Sequence, residues 1–354
     1  MFGKFSLDTL ATCAFGIDPD SFKDKDTKFV KCAARLFQNT FKDNMLMLSR
    51  FLPGVQKLHK MMNINIFKPK ETEFFTDILR RTLQERRRTG QRENDLIDLM
   101  IDCIKEENAE SDEKHDQNEN VDDHHDQYEK DMQFKHHAKN KQHTEDVIVA
   151  TSLVLLVAGY DTTGMTLSFL AYELAKTPEV QEKLQEEIDQ AYEDNNGKLP
   201  DYNVIQGLPY LDSCIHEALR LHTPVGNLLR TCNEETKLLG TDYVIQKNDL
   251  LTISAIGIHM DERYYPNPKQ FNPDNFSKEA RQSRSPYTFL AFGQGPRACI
   301  GMRFALLEAK VAIAMVMRKF TFLPSAKNPE ELQIDPVSQL GYIKGGLWSN
   351  IERR

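Results

Sequence analysis

The sequence has few cysteines, and their spacing excludes several kinds of site. Six cysteines occur in 354 residues, and none of them forms a Cys-x-x-Cys pair. A zinc ribbon or an all-cysteine iron–sulfur site is therefore not expected. Cysteines this sparse do not make a disulfide scaffold, so a reducing, cytosol-facing environment fits best. With 17 glycines and 15 prolines, the chain is also not collagen-like or dominated by linkers.

Basic charge and long apolar runs are scarce as well. The chain has 45 Lys and Arg against 53 Asp and Glu, a net charge of −8. We expect no nucleic-acid partner, because phosphate binding needs a basic excess. The longest apolar run, residues 147–159, is shorter than the roughly 20 residues that span a membrane. We interpret it as a buried core helix, and the sequence shows no signal-peptide pattern or membrane anchor.

What is present predicts a mostly α fold with small β-sheets. The apolar fraction of 40% and the charged fraction of 28% are ordinary for globular proteins. Apolar periodicity and helix-end signals predict helices up to about residue 104 and over 145–176, 178–193, 210–221 and 302–319. Residues 228–254 alternate like strands. Residues 261–298 form a long irregular connection, and such a stretch inside a compact domain is usually functional.

The segment 106–143 differs from the rest of the chain. It is rich in polar and charged residues, nearly lacks aliphatic ones, and contains six of the ten histidines. Such a segment cannot bury enough apolar area to offset the entropy of ordering it. We therefore expect a disordered polar insertion, and we assign no function to its histidine pairs.

The strongest chemical signal is the segment 292–301, with the sequence FGQGPRACIG. Its early glycines and its proline predict a tight turn. Cys299 follows at the start of a helix, where backbone N–H groups, the helix dipole and Arg297 are expected to lower its pKa below about 8.5. Gly301 lets a flat, bulky group approach the backbone. The alternative is a buried, inert cysteine. A single thiolate without a second ligand nearby suits one axial position of a haem iron.

This segment resembles the signature of the cytochrome P-450 family, the haem-thiolate monooxygenases. That signature is Phe-x-x-Gly-x-x-x-Cys-x-Gly, with a frequent Arg two residues before the Cys, and Gly295 stands at its first glycine. The resemblance implies that Cys299 is the axial ligand of a haem b iron. It also implies cofactor-binding roles for four neighbours, namely Phe292, Gly293, Arg297 and Gly301.

Two further residues in this sequence match a brace of the same family. Glu217 and Arg220 lie three residues apart on a predicted helix, so they share a face and can pair. Alone, this pattern is typical of an exposed ion pair, which contributes little. The resemblance implies instead a buried pair that braces the loop carrying Cys299. The family's third brace residue, an Arg, is replaced here by Asn275. A neutral amide cannot form the bidentate contacts of a guanidinium, so we expect the three-residue brace to be incomplete.

The apolar helix contains the segment Ala158-Gly159-Tyr160-Asp161-Thr162. A buried Asp needs a partner, and Gly159 weakens the helix by about 1 kcal/mol relative to Ala, so we expect the helix to open locally. Ala158 and Thr162 face the same side. Alternatively, Asp161 or Thr162 caps a second helix. The segment resembles the family's oxygen-activation motif, which implies that Ala158 contacts haem and that Asp161 and Thr162 deliver protons.

Other positions are carried by the resemblance alone. Arg230 matches a family position that contacts a haem propionate, the alternative being an Arg on a strand surface. The residues expected to face substrate are Val225, Gly226, Asn227, Leu340 and Gly341.

The resemblance covers residues 6–354 except the polar insertion. It is greatest to the animal drug- and steroid-metabolising branch, namely vertebrate subfamily 3A and insect families 6 and 9. We therefore expect residues 1–354 to be a partial P-450 catalytic domain that lacks the first third of the fold. That third includes the amino-terminal anchor, the first sheet strands and a haem-contacting Trp-x-x-x-Arg helix.

The implied reaction inserts one oxygen atom from dioxygen into an apolar small molecule, such as a xenobiotic or a steroid-like lipid. Electrons would come from NADPH through NADPH–cytochrome P-450 reductase, at the cytosolic face of the endoplasmic reticulum membrane. Two alternatives stay open. Relatives that rearrange peroxides tend to lack the acid–Thr pair, so Asp161 and Thr162 argue against that chemistry. The chain could also be a truncated, non-catalytic fragment that binds haem or lacks it, because the first third is missing.

Overall fold

The structure is a computed structural model that describes residues 1–23, 27–36, 68–108, 144–335 and 340–354, with side chains described only to residue 102 in the third range. The chain divides into two compact units. The first contains Met1–Met165, and the second contains Thr166–Ile334 and Leu340–Arg354. As predicted, the described chain is mostly helical with small antiparallel sheets.

The first unit is built from helices. They are α1 (Phe2–Phe15), α2 (Lys28–Leu36), α3 (Pro69–Thr89), α4 (Leu96–Asn108) and the first part of α5 (Glu145–Lys176). Their core contains an edge-to-face contact between the rings of Phe29 and Phe75, with centroids 5.0 Å apart. The Tyr160 hydroxyl on α5 donates to the Ala33 carbonyl at 2.9 Å, so α5 is tied to α2 by a buried hydrogen bond.

Local signals set the ends of these helices. Helix α3 has Pro69 at its first position, and its end is marked by Gly90 with φ of +71°. Helix α1 ends at Gly16 with φ of +59°. A Cβ at Gly16 would overlap the guanidinium of Arg86, which is buried against Asp95 with an N–O distance of 2.6 Å. Glycine is therefore needed at this position for two reasons: its left-handed backbone conformation and the space that the Arg86–Asp95 ion pair occupies.

The second unit combines helices with three two-stranded sheets. Its helices are the last part of α5, then α6 (Pro178–Asp194), α7 (Tyr202–Gln206), α8 (Pro209–Leu221), α9 (Ala255–His259), α10 (Lys278–Ser283) and α11 (Met302–Met317). Strand β1 (Asn227–Thr231) pairs antiparallel with β4 (Leu250–Ser254), with Arg230 opposite Leu251. The other pairs are β2 (Thr236–Lys237) with β3 (Val244–Ile245), and β5 (Phe320–Pro324) with β6 (Ser349–Arg353).

The predicted element bounds agree closely with the structure. Helix α5 covers the predicted residues 145–176, and α11 ends at Met317, two residues before the predicted end. The irregular connection contains α10 and three short 3₁₀ turns at 273–276, 286–288 and 295–297. Helix α4 continues to Asn108, so the first three residues of the predicted polar insertion are helical. The remainder of that insertion, 109–143, lies outside the described residues.

Helix α5 is long and apolar enough to cross a membrane, by length and composition only, and no other described helix is. However, 56% of its most apolar stretch is buried within the protein, and core helices pass the same test. The finding agrees with the interpretation of this run as a core helix.

Candidate functional site

A tightly hydrogen-bonded loop of residues 290–299, the cysteine loop, presents Cys299 just before helix α11. The Gly293 N–H donates to the Leu290 carbonyl at 3.0 Å, and the Cys299 N–H donates to the Phe292 carbonyl at 2.8 Å. Gly293 and Gly295 have φ of +70° and +75°. Because side chains strain this left-handed conformation, the loop needs glycine at both positions. The predicted tight turn before the cysteine is therefore confirmed.

The Cys299 thiol reaches solvent and accepts a hydrogen bond from the Gly301 backbone N–H. The expectation of a lowered pKa is nevertheless wrong for the protein alone. Desolvation by the surrounding protein atoms raises the pKa of Cys299 above its usual value, and the Gly301 bond opposes this only in part. Arg297 is exposed and does not contribute to stabilising the thiolate. A coordinated metal ion would reverse the balance, because it deprotonates a thiol ligand.

The surroundings of the sulfur are open and apolar. The Ile300 side chain is 86% exposed, and a Cβ added to Gly301 would meet no atom within 4 Å. Within the described ranges, no three His, Cys, Asp or Glu side chains cluster to hold a metal ion. One accessible thiol beside an open apolar surface thus fits a planar macrocycle that supplies the other metal ligands itself. The residues present therefore fit a haem.

Two arginines, Arg297 in the cysteine loop and Arg230 on strand β1, have no carboxylate partner among the described residues. Arg297 is exposed, and half-buried Arg230 donates through Nη1 only to the neighbouring Leu229 carbonyl, at 2.9 Å. In the part of the chain that the structure describes, neither guanidinium has a carboxylate partner. Both can therefore receive an anionic group without breaking an existing ion pair.

Glu217 and Arg220 form the expected buried pair on helix α8. Both side chains are fully buried, and the contact is bidentate, with Arg220 Nε at 2.8 Å and Nη2 at 2.7 Å from the carboxylate oxygens. Arg220 Nη1 also donates to the carbonyls of His259 at 2.8 Å and Pro268 at 2.7 Å. Burial raises the pKa of Glu217, and the bonds from Arg220 oppose that rise. This arrangement ties α8 to the start of the irregular connection.

The structure corrects the expectation for Asn275. Its side-chain Nδ2 donates to Glu217 Oε1 at 3.1 Å, so the amide does join the brace, through a single neutral bond rather than a bidentate one. A second guanidinium stands close by, because Arg284 donates to the Asn275 carbonyl and lies 4.4 Å from the ring centroid of Tyr265. The brace is therefore a three-residue contact in which the amide donates a single bond where a guanidinium could form two.

In the first unit, helix α5 presents Ala158 and Thr162 on one exposed side, as predicted, and carries a buried Asp161 beside them. The predicted local opening is wrong, because the helix is continuous and the Thr162 hydroxyl donates to the Ala158 carbonyl at 2.8 Å. Gly159 has a packing role instead. A Cβ there would lie 2.7 Å from the end of the Leu10 side chain on α1. Neither Asp161 nor Thr162 caps a second helix.

The remaining sequence-predicted positions lie in the second unit. Phe292 is half-buried and Gly293 is buried in the cysteine loop. Val225 is 42% exposed and Asn227 is exposed at the start of β1, whereas the Gly226 carbonyl accepts from the Ile256 N–H at 3.2 Å. Leu340 is half-buried, and Gly341 has φ of +58°. The second unit thus holds the cysteine loop, the brace and Arg230, while the first holds the Asp161–Thr162 pair.

Sequence reasoning missed His259, at the end of α9. This side chain is fully buried and bonded at both ring nitrogens. The only signal in the sequence is that a histidine ends the apolar run 255–258, outside the polar insertion. Its partners are 39 and 31 residues away along the chain, which no local pattern reveals.

Comparison with known proteins shows which family the chain resembles. The family model for cytochrome P450 matches residues 1–344. Cytochrome P450 6k1 of Blattella germanica is 33% identical over 345 residues, which is 97% of this chain and 63% of that protein. Cytochrome P450 3A29 of Sus scrofa is 33% identical over 336 residues, 94% of this chain and 60% of that protein. Cytochrome P450 9e2 of Blattella germanica is 32% identical over 356 residues, which is 100% of this chain and 63% of that protein. The chain therefore spans less than two thirds of the length of these relatives, and the predicted branch is confirmed.

Proposed function

The chain belongs to the cytochrome P450 family, and from this premise we propose that it is a haem-thiolate monooxygenase in which Cys299 holds the haem iron. The observation that carries the proposal is the cysteine loop. It offers one solvent-accessible sulfur, fixed by the Phe292 and Gly301 backbone, beside an open apolar surface. Haem, when bound, supplies the redox chemistry that activates dioxygen.

The protein's own residues then bind and orient this cofactor. Cys299 would hold the iron as a thiolate, and the Gly301 N–H bond to sulfur would stabilise that charged form. Arg297 and Arg230 would bind the carboxylates of the porphyrin, since neither has a carboxylate partner in the described ranges. Gly293 and Gly301 would leave room for the macrocycle, because neither carries a side chain.

We also assign proton transfer to Asp161 and Thr162 on helix α5. The Thr162 hydroxyl donates to the Ala158 carbonyl at 2.8 Å, and a hydroxyl oxygen that donates can also accept a hydrogen bond, for which we propose water as the donor. The buried Asp161 carboxyl lies at the preceding position of the helix and would relay protons to a water at the Thr162 hydroxyl. Ala158 leaves room beside the hydroxyl, because its side chain is a single methyl group.

The substrate and the partners follow from the family. We propose an apolar small molecule of the xenobiotic or steroid-like class as substrate, and NADPH–cytochrome P-450 reductase as the source of electrons. We also propose the cytosolic face of the endoplasmic reticulum membrane as the location. These finer assignments are supported by the similarity to families 3A, 6 and 9.

The decisive experiment is the absorption spectrum of the reduced, carbon-monoxide-bound protein after incubation with haem. Thiolate ligation shifts the Soret band to the red, so we expect this band in the unaltered chain and its loss in Cys299→Ser. The matched controls are Cys214→Ser, at a buried thiol, and Cys232→Ser, at a half-buried one, and both should keep the band. A red-shifted band that survives in Cys299→Ser would refute the ligand assignment. An unaltered chain that binds no haem would favour the non-catalytic alternative.

A further inference from the structure

His259 occupies a fully buried position at the end of helix α9 and has a partner at each ring nitrogen. Nδ1 lies 3.1 Å from the Arg220 carbonyl oxygen, and Nε2 lies 2.8 Å from the Leu290 backbone nitrogen. A carbonyl can only accept and a backbone N–H can only donate. Nδ1 must therefore carry the hydrogen while Nε2 accepts, and the ring must be neutral. In agreement, burial lowers the pKa of His259 to about 4.

The contact between His259 and helix α8 runs in both directions. The His259 ring donates to the Arg220 carbonyl, and the Arg220 guanidinium donates back to the His259 carbonyl at 2.8 Å. The ring also stacks on Phe289, with centroids 5.4 Å apart and planes inclined by 16°. The imidazole is therefore held rigidly relative to the Glu217–Arg220 pair.

The other ring nitrogen reaches the beginning of the cysteine loop. The Leu290 N–H donates to His259, and the Leu290 carbonyl accepts a hydrogen bond from the Gly293 N–H at 3.0 Å. The Phe292 carbonyl then accepts the Cys299 N–H at 2.8 Å. Apart from bonds within the loop and to α11, the His259 bond is the only hydrogen bond of residues 290–299 in the described part of the chain.

We propose that His259 is a positioning residue that anchors the cysteine loop to helix α8 through the Leu290 N–H and thereby sets the place of the Cys299 thiol. Its importance for haem rests on the proposed function, whereas the anchoring itself does not. Arg220 alone cannot perform this task, because among the described residues its side chain bonds only Glu217 and carbonyls that precede the loop.

Two substitutions separate the two bonds of the imidazole. In His259→Asn the short amide can still donate near the position of Nδ1 but cannot reach the Leu290 N–H. In His259→Gln the longer side chain places its carbonyl oxygen near the position of Nε2, where it accepts that N–H. His216→Asn is the control for general loss of stability. His216 is also buried and contacts the Phe289 ring, at 5.4 Å, but its ring nitrogen bonds Asp212 on its own helix.

The first readout is backbone hydrogen exchange of the haem-free protein, resolved for the Cys299 amide and for helix α11. We expect exchange at Cys299 to accelerate about tenfold or more in His259→Asn and less than about threefold in His259→Gln and His216→Asn, with α11 unchanged. Equal protection of Cys299 in His259→Asn and His259→Gln would overturn the proposal. If His259→Asn does not fold, ¹⁵N NMR of the unaltered protein decides, because an N–H···N bond gives a scalar coupling between Leu290 and His259. Absence of that coupling overturns the proposal.

The second readout is the reduced, carbon-monoxide-bound spectrum of the haem-loaded protein. His259→Asn should lose a larger share of the red-shifted band than His259→Gln does. If the unaltered protein lacks this band, the proposed function fails, while hydrogen exchange still tests the anchor. If the unaltered protein has the band and His259→Asn keeps it in full with normal exchange at Cys299, the anchor is refuted and the proposed function stands.

Discussion

Replacing Glu217 with Gln removes the only carboxylate that Arg220 contacts in the described chain. Both side chains are fully buried, and Arg220 directs Nε and Nη2 at the two carboxylate oxygens. A glutamine keeps one acceptor oxygen but turns an NH₂ group toward a guanidinium that can only donate. The charge of Arg220 then remains buried without compensation.

The size of the effect follows from that burial. Removing one partner of a buried ion pair destabilises a protein by about 3–5 kcal/mol. A whole domain is stable by only about 5–15 kcal/mol, so Glu217→Gln should remove a large part of the stability of the second unit. With a urea slope of about 2–3 kcal/mol per molar, the unfolding midpoint should fall by about 1–2.5 M.

Urea unfolding followed by circular dichroism measures this shift. The control is Asp261→Asn, which breaks the exposed ion pair between Asp261 and Arg263 at 2.5 Å and should leave the midpoint unchanged. A fall of the midpoint in Glu217→Gln no larger than in Asp261→Asn would show that water reaches Arg220 and that the brace is not a dry ion pair.

Two further outcomes are expected from the same structure. Since the pKa of His259 is about 4 in the folded protein and near 6.5 when unfolded, the unfolded chain binds more protons between these values. The free energy of unfolding should therefore fall by up to about 3 kcal/mol as the pH drops from 6.5 to 4, and urea midpoints should show that His259→Gln lacks this component. On α5, Gly164→Ala should lower the thermal midpoint more than Gly159→Ala. A Cβ at Gly164 would lie 2.8 Å from the backbone of Gly3, whereas a Cβ at Gly159 would lie 2.7 Å from the end of the Leu10 side chain, which can move away. Similar midpoints for the two variants would contradict this assignment of the contacts.

The sequence alone was sufficient for features with local causes. Helix α6 begins at Pro178 because proline is tolerated at a first helical position, and that signal is readable without any partner. The turn before Cys299 requires glycine at two left-handed positions, and both are visible in the motif. The motif residues also sufficed to identify the cytochrome P450 family and its branch, which the comparisons confirm.

The tertiary structure decided what depends on distant atoms. The pKa of Cys299 is raised rather than lowered, because desolvation sums over protein atoms that no short motif contains. The role of Gly159 is set by Leu10, a residue of another helix, and Asn275 joins the brace because folding brings it within 3.1 Å of Glu217. The contacts of His259 join residues more than 30 positions apart, and such pairs form only when the helices pack and exclude water from the polar groups between them.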